Sequence, residues 1–233
     1  MSTDVITMVN GKPTINGRPI ELRKKGIVFL AIDLSDSMNF FVGPKLELTA
    51  LGRQHGTPAP ISPDGVGGVY IDPAFTKHLK TKLNVAVDGA KGFVDKAIAK
   101  KLVGIVVFGS SAEIGIGAVP DGERLKAALG NVEHHYLVGG STNLAHALQL
   151  LFDYPSPIET VLVVTDGRPD DPAAALANGK LLKNMGTDIL VIGTEDADWQ
   201  FLNELRSRSD LSIRTSDEGL EQAITNASRL LKA

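Results

Sequence analysis

The sequence predicts an α/β protein with a doubly wound, mostly parallel central sheet and helices on both of its faces. Two observations support this prediction. Apolar runs at 27–32 and 160–165 lack polar alternation and are rich in β-branched residues, which is typical of strands buried on both faces. Such runs alternate with segments whose apolar residues have helical spacing, which is the pattern of right-handed βαβ crossovers.

The remaining elements follow in order along the chain. Further strands are expected at 103–108, 113–118, 188–192 and 211–214. Helices are expected at about 76–100, 121–129, 143–152, 171–185 and 198–207, with a last helix from about 217. The strand at 113–118 is short and could lie antiparallel at an edge of the sheet.

The chain is expected to form one domain at 26–233, preceded by an extension at 1–25. The extension contains two Asn-Gly pairs between short apolar runs, which predicts a short β-hairpin lying on the sheet. A mobile tail is the alternative. An insertion at 39–77 is rich in glycine and proline, which predicts a long loop.

The composition excludes several classes of site. The chain has 233 residues and no cysteine, so disulfides, zinc–thiolate sites and a cysteine nucleophile are excluded. A formal net charge of −3 predicts no attraction to nucleic acid or to an anionic membrane. No apolar run approaches the ~20 residues that span a bilayer, and the N-terminus lacks the pattern of a secretory signal. We therefore expect a cytoplasmic protein.

Oxygen-bearing side chains gather where two predicted strands end. Asp33, Ser35 and Ser37 follow the first strand at every second position, and Asp166 follows the strand at 160–165. Thr142 opens a helix after a pair of glycines. Ligands bind at the carboxyl ends of parallel strands, where the strand order reverses. Hard oxygen ligands suit Mg²⁺, Mn²⁺ or Ca²⁺, so a site for such a cation is predicted here.

Three motifs occur in order along the chain, namely D-x-S-x-S-M, G-G-S-T-N and V-V-T-D-G-R-P-D. Together they resemble the von Willebrand factor A (integrin I-like) domains, which have a Rossmann-like fold. The resemblance implies a metal-ion-dependent adhesion site in which Ser35, Ser37 and Thr142 are hydroxyl ligands. Asp33 and Asp166 would then act directly or through water. The implied ion is Mg²⁺ or Mn²⁺ in preference to Ca²⁺.

The function that the resemblance implies is metal-dependent protein binding, without enzymatic activity. An aspartate or glutamate of a partner protein would complete the coordination of the cation. For a cytoplasmic member, the resemblance implies an adaptor of the kind that often works beside an AAA+ ATPase. The chain departs from the family at the 39–77 insertion, which begins directly after the first motif.

Two other functions remain open at this point. The first is a metal-dependent hydrolase or phosphatase that uses the same loop. A phosphatase of the haloacid dehalogenase type needs a second carboxylate two residues after Asp33, and Ser35 occupies that position. The second is a structural subunit whose metal site is filled within its own assembly.

Overall fold

The described part of the chain contains strands and helices that alternate along most of its length. The computed structural model describes residues 6–9, 12–15, 18–19, 25–43, 50–54, 61 and 76–232. The strands are β1 (Ile6–Val9), β2 (Lys12–Ile15), β3 (Arg18–Pro19), β4 (Ile27–Asp33), β5 (Phe41–Val42), β6 (Lys80–Thr81), β7 (Leu102–Phe108), β8 (Ala112–Val119), β9 (Thr160–Thr165), β10 (Asp188–Thr194) and β11 (Ser212–Thr215). The helices are α1 (Lys82–Ala97), α2 (Gly122–Asn131), α3 (Leu144–Phe152), α4 (Pro172–Asn184), α5 (Trp199–Leu205) and α6 (Leu220–Ala227), with 3₁₀ turns at Asp36–Asn39, Val132–His134 and Ser228–Leu230.

The central sheet has six strands in the order β11-β10-β9-β4-β7-β8. All neighbours are parallel except β8, which pairs antiparallel with β7 at one edge. The chain moves from β4 to one side of the sheet and returns to β9 on the other side, so the strand order reverses between β4 and β9. The predicted fold class is confirmed, and the reversal lies where the two predicted aspartates are.

Helices cover both faces because successive residues of a buried strand point in opposite directions. In β4, Val28, Leu30 and Ile32 face a layer formed with α1, α2 and α6. Phe29 and Ala31 face the other layer, formed with α3, α4 and α5. Within the described ranges, no helix has both the length and the apolar character needed to cross a membrane.

Helix α1 begins at Lys82, whereas the apolar spacing predicted a start near residue 76. Thr81 ends the preceding strand and accepts a hydrogen bond from the Asn84 N–H, while the Asn84 side chain accepts one from the Thr81 N–H. This capping box fixes the first turn of the helix. Leu79 continues the apolar spacing but packs elsewhere, on Phe41 and its neighbours.

The N-terminal strands form a separate antiparallel sheet in the order β1-β2-β3. Ile6 pairs with Ile15, and Thr14 pairs with Pro19. The predicted hairpin is confirmed, with a third short strand added to it. That this sheet lies on the central one stays a prediction.

Both ends of the insertion at 39–77 meet in a small ladder. Phe41 and Val42 of β5 pair antiparallel with Thr81 and Lys80 of β6. A loop was predicted here, but residues 50–54 are helical, and the Phe41 N–H donates to the carbonyl of Ile61 at 2.7 Å. Phe41, Leu51 and Ile61 form a small apolar cluster apart from the two main layers. Residues 44–49, 55–60 and 62–75 of the insertion lie outside the described residues.

We predict that Ile61→Ala loosens this cluster but leaves the main domain intact. Removing a buried isoleucine side chain typically costs about 2–5 kcal/mol in the unit that contains it. The Phe41 amide should therefore exchange its hydrogen faster, while the main thermal transition changes little. The matched control is Leu30→Ala, in the centre of the sheet, which should lower the melting temperature of the whole domain. An equal loss of melting temperature in both variants would mean that the cluster belongs to the main core.

Candidate metal site

The site is built where β4 and β9 end side by side. Ile32 is paired with Val164, so Asp33 is level with Thr165, and Asp166 follows directly. After Asp33 the chain turns into the 3₁₀ turn at Asp36–Asn39, which carries Ser37. The structure thus brings the first and third predicted motifs together at the carboxyl edge of the sheet.

Asp33 is fully buried, and both of its carboxylate oxygens are engaged. The Ser35 N–H donates to Oδ1 at 2.8 Å, and the Thr165 hydroxyl donates to Oδ2 at 2.5 Å. These bonds hold the carboxylate in one orientation. They also close the turn that brings Ser35 over the end of the strand.

Burial raises the pKa of Asp33 to about 7. The bonds from Thr165 and Ser35 favour the charged form and oppose this rise, whereas the nearby charge of Asp166 adds to it. The carboxyl group of Asp33 therefore changes its charge near neutral pH in the metal-free protein. A cation at this place would favour the ionised form.

Asp166 is tied to the first motif and to helix α1. The Ser37 hydroxyl donates to its Oδ1 at 2.6 Å, and the Lys82 ammonium donates to its Oδ2 at 3.0 Å. The hydroxyl oxygens of Ser35 and Ser37 lie 3.2 Å apart. A chain of polar contacts therefore runs from Ser35 through Ser37 and Asp166 to Lys82.

Thr142 enters from a third loop that glycines shape. Gly139 and Gly140 have φ of 90° and 84°, in the left-handed region that other residues rarely adopt. The Thr142 N–H donates to Oδ1 of Asp170 at 3.0 Å, and the Asp170 N–H donates to the Thr142 carbonyl at 3.0 Å. Thr142 is buried as a residue, and its hydroxyl makes no hydrogen bond to any residue that the structure describes. The hydroxyl oxygen is not among the buried atoms without a partner in the described residues, so it stays accessible and free to bind a ligand.

The three loops enclose a small hollow beside Gly167. A Cβ atom added to Gly167 would lie 3.2 Å from the Thr142 hydroxyl, 3.6 Å from the Ser37 hydroxyl and 3.9 Å from Oδ2 of Asp33. Oxygens of the first and second predicted segments therefore face one point, and Gly167 of the third segment borders it. In the part of the chain that the structure describes, no three acidic, histidine or cysteine side chains form a metal-binding group. A cation here would depend on hydroxyl ligands, and this set fits a small hard cation.

Sequence reasoning missed three residues that support the site, namely Thr165, Asp170 and Lys82. Thr165 and Asp170 lie within the quoted V-V-T-D-G-R-P-D motif, but their roles depend on which strand and loop lie opposite. For Lys82 the sequence does contain one weak indication of a role. It lies on the apolar side of α1 that also carries Ala86, and a buried lysine on such a side needs a charged partner.

Comparison with known proteins identifies relatives of this arrangement. The family model of the von Willebrand factor type A domain matches residues 79–227. The collagen alpha-4(VI) chain of Mus musculus is 33% identical over 99 residues, which are 40% of this chain and 4% of that protein. This chain therefore spans only a small part of its curated relative.

Solved structures share the fold at low sequence identity. Proximal thread matrix protein 1 of the mussel byssus has a TM-score of 0.61 and 15% identity, over 89% of this chain and 46% of that chain. A form of that protein with a zinc-occupied adhesion site has a TM-score of 0.60 and 13% identity, over 89% and 48% of the two chains. Manganese-loaded TRAP protein of Plasmodium vivax has a TM-score of 0.56 and 16% identity, over 88% of this chain and 72% of that chain.

We predict that Asp33→Asn stabilises the metal-free protein at pH 8. Between about pH 4 and pH 7 the unfolded state is ionised at Asp33 while the folded state keeps its proton, so this group lowers stability as the pH rises. Each pKa unit corresponds to about 1.4 kcal/mol, so the variant should gain a few kcal/mol above pH 7. The gain should shrink toward pH 4. Denaturant unfolding with a chelator present measures both effects.

Asp36→Asn provides the matched control for Asp33→Asn. Asp36 is exposed and lies in the same turn, so the same change there should alter stability by less than about 1 kcal/mol. If Asp33→Asn were as neutral as this control at pH 8, burial would not be what controls the ionisation of Asp33.

Proposed function

The chain belongs to the von Willebrand factor type A domain family, and from this we propose that it is a metal-dependent protein-binding module. In this proposal a divalent cation is held by the predicted residues Asp33, Ser35, Ser37, Thr142 and Asp166. The cation binds an aspartate or glutamate side chain of a partner protein. The main support is that the hydroxyls of Thr142 and Ser37 and Oδ2 of Asp33 face one hollow beside Gly167.

The hydrogen bonds support a division of roles among the five residues. Both oxygens of Asp33 and both oxygens of Asp166 already accept hydrogen bonds, from Ser35 and Thr165 and from Ser37 and Lys82. The three hydroxyl groups, Ser35, Ser37 and Thr142, are then the direct ligands, and the carboxylates orient them and balance charge. A bound cation would supply a Lewis-acidic centre. Uncharged direct ligands would leave that centre attractive to a carboxylate.

The proposed ion is Mg²⁺ or Mn²⁺, with Ca²⁺ less favoured. Hydroxyl and carboxylate oxygens are the ligands that such hard cations prefer. The mussel and Plasmodium structures, described above as holding zinc and manganese, support a divalent cation in this fold. They do not distinguish among ions for this chain.

The cellular part of the proposal comprises a cytoplasmic location and an adaptor role beside an AAA+ ATPase. The adaptor role depends on the family resemblance, and the location depends on the expectation drawn from the composition.

The alternative of an aspartyl-phosphate phosphatase has little support. Within the described residues, the side chains that hydrogen-bond to Asp33 are the hydroxyls of Thr165 and Ser35, which are poor proton donors beside a reacting aspartate. Members of this family are typically adhesion and binding modules, not enzymes.

We predict that Thr142→Val abolishes stabilisation by metal but leaves the metal-free protein nearly unchanged. Valine keeps the shape of threonine, and the hydroxyl that is lost makes no hydrogen bond within the described structure. In the wild type, cation at a hundredfold excess over Kd should add about 2.7 kcal/mol of stability. Thermal melts with Mg²⁺ and with EDTA would measure this difference in both proteins.

The control for this variant is Thr187→Val, the same change at a buried threonine away from the site. The Thr187 hydroxyl donates to the carbonyl of Ile158 at 2.8 Å, so its loss should cost about 1 kcal/mol with or without metal. The metal-induced shift should persist in this control. A full metal-induced shift in Thr142→Val would exclude Thr142 as a ligand.

We predict that partner binding requires both the cation and a carboxylate. Affinity capture on the wild-type chain should recover a partner in Mg²⁺ and lose it in EDTA, because the cation would bridge the two proteins. Thr142→Val should fail to capture the same partner in Mg²⁺. Replacing the partner's contact aspartate by asparagine, or its glutamate by glutamine, should have the same effect. Binding that survives both EDTA and the Thr142 variant would rule out a cation bridge.

A further inference from the structure

Lys82 is a buried lysine that contacts the candidate metal site. Its side chain is only 6% exposed, and its ammonium lies 3.0 Å from Oδ2 of Asp166. Asp217 and Asp196 approach it at 3.5 Å and 3.6 Å. These three carboxylates follow the ends of β9, β10 and β11, which are neighbours in the sheet. Lys82 therefore places a positive charge at the carboxyl edge, beside the site proposed for a cation.

The position of Lys82 is unfavourable unless something specific holds it there. It is the first residue of α1, where the helix dipole disfavours a positive charge, and burial disfavours an ammonium further. The Lys82 N–H donates to the carbonyl of Phe40 at 2.9 Å, next to the ladder that closes the insertion. Hydrogen bonds made by both its backbone N–H and its side chain therefore hold Lys82 in this position.

The ammonium keeps its charge in this environment. Burial opposes the charged form, but the carboxylates of Asp166, Asp217 and Asp196 lie within 3.6 Å of the ammonium and favour it. Asp166 is the closest and most buried of the three. The side chain of Asp196 is 78% exposed, so solvent screens its charge and it offsets the ammonium only in part.

We propose that Lys82 lowers the affinity of the site for divalent cations, so that tight binding requires the carboxylate of a partner. This inference rests on the proposed function. The charges of Asp33 and Asp166 would together balance a divalent cation. Asp217 and the exposed Asp196 offset the Lys82 ammonium only in part, so the ammonium still repels a cation bound beside Asp166. A partner's carboxylate opposes this repulsion, so partner and cation bind cooperatively.

The test is Mn²⁺ binding to the full chain carrying Lys82→Gln, measured by calorimetry without a partner. Glutamine can still donate a hydrogen bond to Asp166 but carries no charge. Its Mn²⁺ affinity should exceed that of the wild type by about tenfold or more, because a like charge has been removed from a buried site. Lys80→Gln is the matched control. Lys80 is exposed, pairs with Asp88 at 2.6 Å, and should leave Mn²⁺ affinity unchanged.

A second measurement uses acetate as a small stand-in for the partner's carboxylate. Acetate should tighten Mn²⁺ binding by the wild type, and should do so less for Lys82→Gln. Should the glutamine variant fail to fold, as judged by circular dichroism, Lys82→Met replaces it and acetate binding by the wild type still tests the idea.

The outcomes separate this inference from the proposed function. If the wild type binds Mn²⁺ and the folded Lys82→Gln variant binds it equally or more weakly, the role of Lys82 is overturned while the metal site stands. An absence of any acetate effect on the wild type would also count against it. If neither wild type nor variant binds Mn²⁺, the proposed function fails, and this inference fails with it. Binding by the variant alone would support the inference in its strongest form.

Discussion

Direct pairing of β4 with β9 brings two aspartates into a region that water hardly reaches. Asp33 is fully buried and Asp166 nearly so, and a buried carboxylate is costly unless it is hydrogen-bonded or paired with a positive charge. Most of the surrounding polar structure compensates for these two groups. Thr165 and Ser35 bind Asp33, while Ser37 and Lys82 bind Asp166. The orientation of the Ser37 hydroxyl, which faces the hollow, follows from this compensation.

Much of the fold was readable from the sequence because its strands are buried on both faces. The run at 160–165 has no polar residue to interrupt it, and β9 occupies those residues. Asp33, Ser35, Ser37 and Asp166 were readable for a related reason, since polar residues that end buried parallel strands must meet at one edge of the sheet, whereas Thr142 was readable only from its motif. The structure brings them together, and their roles as metal ligands stay a prediction.

Other features depend on contacts between distant segments and were not readable. Leu79 continues the apolar spacing of α1, but it packs on the cluster of Phe41, Leu51 and Ile61, so the spacing alone placed the helix start too early. The partner of Lys82 lies 84 residues away in the chain. A single lysine on an apolar helix side indicates that some carboxylate is near, but it does not indicate which one.

Gly167 adds a sixth determinant to the five side chains of the site. A methyl group at this position would touch the oxygens of Thr142, Ser37 and Asp33 and occupy the space that they face. A related chain could therefore keep all five site residues and still lose the cavity through one small substitution that removes no oxygen atom. If the predicted ligand roles hold, these five residues alone would overstate how many such domains can bind an ion, and the residue after the second aspartate would be a further criterion.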